Sequence, residues 1–526
     1  MIKKALFCLI LFFAFSVFAQ KAVQYTLSSP SALLQFPKQD KQQLLDEDEK
    51  KGKGRLRCAV LMPCDVAFPG DEILPETIAE GKVWRMKLEA EDAEAMNLYL
   101  KDFQLPRGAE LSFYTPDFTY KLPIITSDEN PENKIYVTDH VPGSNLIVEL
   151  FVPQGVEVRH CFTIKDIGYM YRPLPRWMSG GRGFGTSGDC EVNVNCPEGE
   201  KWQDEKKGVA RILLLAGGGL YYCTGSLINN VRNDKTPYFL TAHHCGEGAT
   251  EEEFLKWKFY FNYESPSCEN PDKEPEPYMT TGSEKIAEGA YPPGSDFLLL
   301  KLSDVVSSAP NLFFNGWNIS TTPATSGVGI HHPDGDIKKI STYTKKLQDD
   351  DQTHWILQWA QTKTNWGVTE GGSSGSPIFD QNKYMVGTLT GGMAECAVPQ
   401  GYDYYGQMAY HWDKNGTDST EQLKPWLDPD NTGITKLQGL GEEKPATIPL
   451  VHPNPTTGLL FVKLEKGDNK ELNIFDVMGR LVMKKNISVV DDVYIMQVDL
   501  SHLSTGLYIM MITGNNGRKT QKIIKL

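Results

Sequence analysis

The sequence predicts an all-β protein built from three strand-rich parts, and three observations carry that prediction. Short apolar runs of strand length recur along most of the chain and are cut by Gly, Pro, Asn and Asp. Helical periodicity is confined to a charged stretch around Lys38 to Lys53 and a short one from Thr420 to Leu427. With 526 residues, 40% hydrophobic and 23% charged, the composition is globular, which excludes a disordered chain and a multi-span membrane protein. Lys plus Arg number 53 against 67 Asp plus Glu, a net charge of −14, so no general basic face is offered to nucleic acid.

The first element is an export signal. Met1-Ile2-Lys3-Lys4 is a basic start, followed by an apolar run from Ala5 to Ala19 that is too short for a transmembrane helix. With its small-residue exit at Ala19 it reads as a secretory signal peptide over residues 1–19. Export makes disulfides permissible for the remaining cysteines. Residues 20–182 form the next part, with alternating runs such as Val83-Trp84-Arg85-Met86-Lys87-Leu88 that predict a small β-domain over about 70–165. It contains no convergent set of chemical groups. Met178-Ser179-Gly180-Gly181-Arg182-Gly183-Phe184-Gly185 reads as an exposed linker, where proteolytic nicking concentrates.

Residues 183–440 hold many short strands, among them Ala210 to Leu215, Tyr238 to Leu240 and Phe297 to Leu302, a pattern of barrels and sandwiches. Residues 441–448 read as a second linker. Residues 449–526 carry strands at Leu459 to Val462, Leu472 to Phe475, Ile495 to Leu500, Leu507 to Ile512 and Ile523 to Leu526, which suit a compact β-sandwich of some seven strands. This last part has no Cys and only two widely spaced His residues, so chemistry is not expected there.

Three segments of the middle part carry chemical groups in the order His, Asp, Ser. Thr241-Ala242-His243-His244-Cys245 ends an apolar strand, Ser295-Asp296 heads another, and Gly371-Gly372-Ser373-Ser374-Gly375-Ser376-Pro377 surrounds serines with glycines. Nucleophilic catalysis needs a hydroxyl, an imidazole to take its proton and a buried carboxylate to orient the imidazole. Glycines beside the serine let backbone N–H groups turn toward the oxygen of a tetrahedral intermediate, and the N–H groups of Gly372 and Ser374 are assigned to that oxyanion hole. Taken singly, each segment reads as a surface loop, a solvated strand end or a core histidine. Their order, together with the export signal, favours catalysis.

These segments resemble the chymotrypsin-fold serine endopeptidases and, more narrowly, bacterial lysyl endopeptidase. Cys190 through Cys196-Pro197-Glu198-Gly199, Cys223-Thr224-Gly225-Ser226-Leu227, Ile330-His331-His332-Pro333 and Trp426-Leu427-Asp428-Pro429 also match that family, over about residues 185–440. The resemblance implies two six-stranded antiparallel β-barrels with the site in the cleft between them. It implies His244 as general base, Asp296 as its orienter and Ser374 as nucleophile. His244 is preferred to His243 because the family's histidine immediately precedes the cysteine. It also implies the disulfides Cys190–Cys396, Cys196–Cys268 and Cys223–Cys245, the last closing a loop worth about 3 kcal/mol in a chain-entropy treatment. The cysteines form no tight pairs with nearby histidines, so a zinc site is not expected, and the chemistry requires no metal or organic cofactor. Upstream, Cys58, Cys64 and Cys161 are odd in number, which leaves at least one unpaired.

Specificity follows from the same resemblance. The residue six before the nucleophile is Val368, so the pocket carboxylate of trypsin-like enzymes is absent. The family takes its pocket acid from a later strand, which Asp403 matches; without the resemblance Asp403 reads as a strand-end residue. Thr390 and Gly391 belong to the strand beside the substrate, and Thr390 stands where the family has a histidine stacked on a tryptophan. Residue 373 is Ser rather than the acid that pairs with a freed N-terminus in trypsin-like zymogens. Residues 20–182 are then expected to be a propeptide removed by cleavage at Arg182–Gly183.

His452-Pro453-Asn454-Pro455, Ile474 to Arg480, Leu503 to Tyr508 and Lys522 to Leu526 resemble a type IX secretion sorting domain. That resemblance implies contact with outer-membrane secretion machinery and release from the cell or attachment to its surface. The expectation is a monomeric, secreted serine endopeptidase that cuts protein or peptide substrates after Lys, with Arg as a second accepted residue. Its rivals are a trypsin-like enzyme of broad Lys and Arg specificity and an inactive protease-fold surface adhesin.

Overall fold

The computed structural model of the protein describes residues 29–51, 55–172, 185–303, 311–441, 451–465, 471–486, 493–514 and 517–526. The expected signal peptide, the Arg182–Gly183 cleavage site and residues 442–448 lie outside the described residues. Strands dominate throughout, so the fold class is all-β as expected. Among the described residues no helix is long and apolar enough to cross a membrane.

In the first part, Ala32–Phe36 runs parallel to Gly81–Ala90, which pairs in turn with Asn145–Pro153 and through it with Glu110–Tyr114. A second sheet orders Leu56–Phe68, Phe162–Met170 and Ala95–Lys101. Period-two alternation gives each sheet one apolar face, and Leu88, Leu98, Leu111, Val148, Phe162 and Ile167 are buried between them. The charged stretch forms helix Lys41–Lys51, whose N-terminus is closed by the Asp40 carboxylate accepting Gln43 N–H at 3.0 Å.

This second sheet does not end at the boundary of the first part. Leu56–Phe68 pairs antiparallel with Gly219–Leu227, Val60 opposite Gly219 and Leu56 opposite Tyr222. One twelve-stranded sheet therefore runs through both parts. Cys58, Ala59, Tyr99 and Met170 are buried in the same core as Leu214, Leu220 and Tyr222.

Within the middle part, Val209–Ala216 and Gly219–Leu227 form a hairpin across Gly217 and Gly218. Both glycines have positive φ, 56° and 77°, which a tight hairpin turn of this twist demands. The remaining strands from Gly327–His331 to Tyr402–Gln407 belong to a nine-stranded sheet. Leu240, Phe297 and Leu299 from the first half meet Trp317, Ile330, Phe379 and Met385 from the second in one buried junction. Helix Met408–Asp413, unforeseen in the sequence, packs Met408 and Trp412 into that junction.

Disulfides join Cys190 to Cys396, Cys196 to Cys268 and Cys223 to Cys245. Cys58, Cys64 and Cys161 are all free, and Cys58 and Cys161 lie in different cores, out of each other's reach. The last part has seven strands among the described residues, in a three-stranded and a four-stranded sheet. Leu460, Val462, Leu472, Ile474, Val498, Met510 and Ile512 fill its core.

Trp317 is fully buried, donates its indole N–H to the Asn229 carbonyl at 2.9 Å and packs on Trp412 with ring centroids 4.6 Å apart. Trp317→Ala therefore leaves a large void and a carbonyl without its donor, and is expected to lower stability by about 3–5 kcal/mol. Urea unfolding of the Ser374→Ala chain, with and without the tryptophan, measures the difference.

Candidate active site

Strand pairing brings the imidazole and the carboxylate together. Tyr238–Thr241 runs antiparallel to Phe297–Leu302 with Thr241 opposite Leu298, so the end of one strand lies beside the start of the other. His244 follows the first strand in the short helix His243–Gly246, and Asp296 immediately precedes the second. Asp296 adopts the left-handed conformation at φ 61°, a region that Asp enters more readily than most residues. Its buried carboxylate accepts the His244 backbone N–H at 3.0 Å through one oxygen and meets His244 Nδ1 at 2.8 Å through the other. An ionised carboxylate can only accept, so Nδ1 carries the proton and Nε2 presents its lone pair. Nε2 is buried and has no hydrogen-bond partner.

The electrostatics follow from that contact. Burial pushes the Asp296 carboxyl up, but the charge of His244 and hydrogen bonds from His244 and Thr390 hold it below its ordinary value. Burial pulls His244 down, yet the charge and hydrogen bond of Asp296 outweigh it and leave the imidazole above its ordinary 6.5. His243 is directed elsewhere, with Nε2 3.6 Å from the Glu288 carboxylate.

Ser374 reaches the same place from the second half of the domain. Its carbonyl accepts the Thr224 N–H at 2.8 Å and lies 3.8 Å from Cys245 Sγ, one residue beyond His244. Gly375, at φ 79°, sits where an added Cβ would be 2.1 Å from Thr241 Oγ1 and 2.6 Å from Ala242 N. Only glycine lets the serine loop approach the strand that leads to His244. Gly372, at φ 89°, is held by Thr224 Oγ1 donating to its carbonyl at 2.8 Å. Among the described residues the N–H groups of Gly372 and Ser374 donate to no acceptor of the protein.

Beside Ser374 opens a cavity of about 390 Å³, whose lining includes Asp334, Thr369, Glu370, Thr390, Gly391, Gly392 and Ala394. Asp403 lies beneath its floor, fully buried. Its carboxylate accepts from Trp359 Nε1 at 2.6 Å, Thr369 Oγ1 at 2.7 Å and Ala394 N at 3.2 Å. Gly392 covers it so closely that a Cβ there would be 1.9 Å from Asp403 Oδ1.

One neighbour of the site was not foreseen. His354 Nε2 is 3.0 Å from Thr390 Oγ1, and its ring meets that of Tyr291 edge-on with centroids 4.5 Å apart. An imidazole thus reaches Thr390 from the strand His354–Gln358, although no histidine stands at residue 390 itself. No local signal marks His354, because its approach depends on the pairing of Trp355 with Tyr405 in a distant strand. His411 is a second supporting imidazole, bonded to Ser295 Oγ at 2.7 Å and Thr388 Oγ1 at 3.0 Å. Both donor clusters of metal-binding type among the described residues, Cys223-His244-Cys245 and Cys190-Glu191-Cys396, have their sulfurs tied in disulfides.

An oriented imidazole, a glycine-flanked serine and two free amides are the parts used by the serine protease class, and comparison with known proteins agrees. Residues 184–406 match the family described as lysyl endopeptidase, C-terminal domain, and residues 450–526 match the family described as secretion system C-terminal sorting domain. The chain is 31% identical over 295 residues to lysyl endopeptidase of Pseudomonas aeruginosa, covering 52% of this chain and 61% of that protein. It thus spans about three-fifths of the length of this relative. Solved structures with a similar region include the thermostable serine protease AL20 from an extremophilic microorganism, at 12% identity over 39% of this chain and 92% of that one, with a TM-score of 0.28. Protease Anisep from Arthrobacter nicotinovorans is similar at 16% identity over 38% of this chain and 90% of its own, also at 0.28. The likenesses to lysyl endopeptidase and to a sorting domain expected from the sequence are both met, and the sorting domain marks the protein for export to the cell surface or the extracellular space.

The titration of His244 is a direct readout of this geometry. In nuclear magnetic resonance its ring is expected to titrate above 6.5 in the intact chain. In Asp296→Asn the raising interaction is gone and burial remains, so the titration falls below that value. A histidine that titrates alike in both proteins would contradict the pairing.

Proposed function

We propose that the protein is a serine endopeptidase, made as a preproprotein and exported, that hydrolyses peptide bonds after Lys, with Arg as a second accepted residue. The observation that carries this reading is the His244–Asp296 pair at 2.8 Å with Nε2 left without a partner, at the junction where the Ser374 loop docks.

The reaction follows from these groups. Ser374 Oγ attacks the scissile carbonyl while His244 Nε2 takes the hydroxyl proton. Asp296 stabilises the imidazolium that forms and keeps the ring oriented, without taking the proton itself. The carbonyl oxygen, now negative, is held by the N–H groups of Gly372 and Ser374; each such donor is worth about 100- to 1000-fold in rate. His244 then gives its proton to the leaving amine, and the acyl group stays on Ser374. Water, deprotonated by the same imidazole, attacks the ester, releases the new carboxyl terminus and returns the proton to Ser374.

Asp403 supports the preference for a basic side chain. Three donors satisfy its carboxylate behind the cavity, and a Lys ammonium entering past Thr369 and Gly392 gains an acidic partner in a site shielded from water. Residues 20–182 act as propeptide and residues 449–526 as the export tag, with secretion machinery as the partner of the latter.

A peptide library digested by the mature form and read by mass spectrometry tests the assignment. Cuts are expected after Lys, or after Lys and Arg, and Ser374→Ala is expected to abolish them. Asp403→Asn is expected to reduce kcat/KM on lysyl substrates by about 30- to 1000-fold, the cost of removing one partner of a buried charge pair. Equal cutting after Lys, Arg and apolar residues would remove Asp403 from the pocket, and no cutting at all would leave the inactive adhesin.

A further inference from the structure

The serine loop and the histidine strand meet on one buried residue. Thr224 lies within Gly219–Leu227 and is fully buried. Its backbone N–H donates to the Ser374 carbonyl at 2.8 Å. Its own carbonyl accepts the hydroxyl of Thr241, on the strand that leads to His244, at 2.7 Å. The Thr224 hydroxyl has two partners of its own: Oγ1 donates to the Gly372 carbonyl at 2.8 Å and accepts the His332 N–H at 3.1 Å. A hydroxyl has one proton to give, so its direction is fixed by the carbonyl, and its lone pair is left for the amide.

His332 leads into the turn Pro333–Gly335, which backs the oxyanion segment. Asp334 N–H donates to the Gly371 carbonyl at 2.6 Å. That carbonyl shares a peptide plane with the Gly372 N–H and points the opposite way, so the bond sets the direction of the amide. The Thr224 hydroxyl holds the carbonyl of the following plane, and Gly372, at φ 89°, is thus gripped on both sides. Turn and loop touch closely: a Cβ on Gly372 would lie 3.0 Å from Gly335 N and 3.1 Å from the His332 carbonyl oxygen. The turn is itself held by Arg211, whose Nη1 donates to the Gly335 carbonyl at 2.8 Å. Thr224 therefore bonds the turn and the loop through its side chain, and the nucleophile and the histidine strand through its backbone.

We propose that Thr224 is a positioning residue whose hydroxyl fixes the aim of the Gly372 amide and so preorganises the oxyanion hole. The inference rests on the serine endopeptidase reading above. Valine has nearly the shape of threonine, but in its place the Gly372 carbonyl and the His332 N–H are buried without partners. The peptide after Gly372 then rotates to recover a hydrogen bond, and a glycine has no side chain to resist that rotation. The amide beside it loses its aim with it. Docking of a lysyl side chain toward Asp403 uses neither amide, so ground-state binding is left intact and only the charged intermediate loses a donor. The loss therefore falls on kcat and leaves KM nearly unchanged. A hydroxyl that served stability alone would lower the unfolding temperature and leave kcat as it was.

The test compares the mature form with its Thr224→Val, Thr224→Ala and Thr224→Ser variants on a lysyl amide substrate, with rates counted per Ser374 labelled by a lysyl phosphonate. Valine and alanine are expected to lower kcat by about 10- to 100-fold, less than the loss of a donor outright, with KM changed by less than about threefold. A lysyl boronate, whose tetrahedral adduct presents an oxygen to the hole, is expected to bind these variants more weakly by the same factor as kcat. Serine keeps the hydroxyl and is expected to restore most of the loss. Hydroxyl-free variants with the native kcat, a loss carried by KM alone, or a serine variant as slow as the valine one would overturn the assignment. So would a chain that folds with neither valine nor alanine at this position, since the hydroxyl would then serve folding. If the native mature form cuts no lysyl substrate, the serine endopeptidase reading itself falls and takes the role of Thr224 with it.

Discussion

The pairing of Tyr238–Thr241 with Phe297–Leu302 is the constraint on which the site depends. Because the strands are antiparallel, the residues after Thr241 and those before Leu298 emerge side by side, and a histidine and an aspartate there become neighbours. Asp296 is withheld from water. In that environment its bond to His244 is strong enough to offset the pull of burial on the imidazole, so the ring is both oriented and basic. A solvated carboxylate at the same distance would orient the ring weakly and exchange with water.

The serine is brought in by the junction of two halves. Leu240, Phe297 and Leu299 belong to the same elements that carry the histidine and aspartate, and they pack directly on Phe379 and Met385, which follow the serine loop. Packing that is unfavourable in any other register thus holds three distant stretches of chain in one arrangement. Glycine at residue 375 removes the last obstacle, since any side chain would lift the loop off Thr241. A separate cluster that includes Trp359, Tyr405 and Ala394 surrounds the buried Asp403, where Trp359, Thr369 and Ala394 supply the hydrogen bonds that its desolvation requires. Extension of the catalytic sheet by the first part places a strand edge, otherwise open, under cover.

Much of this was legible in the sequence, for identifiable reasons. Runs cut by Gly and Pro announced the strands, and five of the seven strands described in the last part fall on runs read from the sequence. His244, Asp296 and Ser374 stand out in the sequence because each sits at a strand end or glycine turn whose composition is unusual, and because a family with those motifs exists. What escaped notice depends on register between distant strands. His354 meets Thr390 only through the pairing of Trp355 with Tyr405, and Leu56–Phe68 finds Gly219–Leu227 with no local mark on either. Helix Met408–Asp413 is too short to show a period, and its burial, not its propensity, stabilises it. The odd number of cysteines in the first part leaves at least one unpaired, and all three are free, with Cys58 and Cys161 in different cores.

The central claim is that residues 244, 296, 374 and 403 form one working site. A crystal structure of the catalytic part with a lysyl phosphonate bonded to the enzyme tests it most directly. The account predicts phosphorus on Ser374 Oγ, a phosphonyl oxygen between the amides of Gly372 and Ser374, His244 Nε2 facing Oγ, and the lysyl ammonium directed at Asp403. Phosphorus on another residue, or an ammonium turned away from Asp403 with the oxygen outside those two amides, would contradict it.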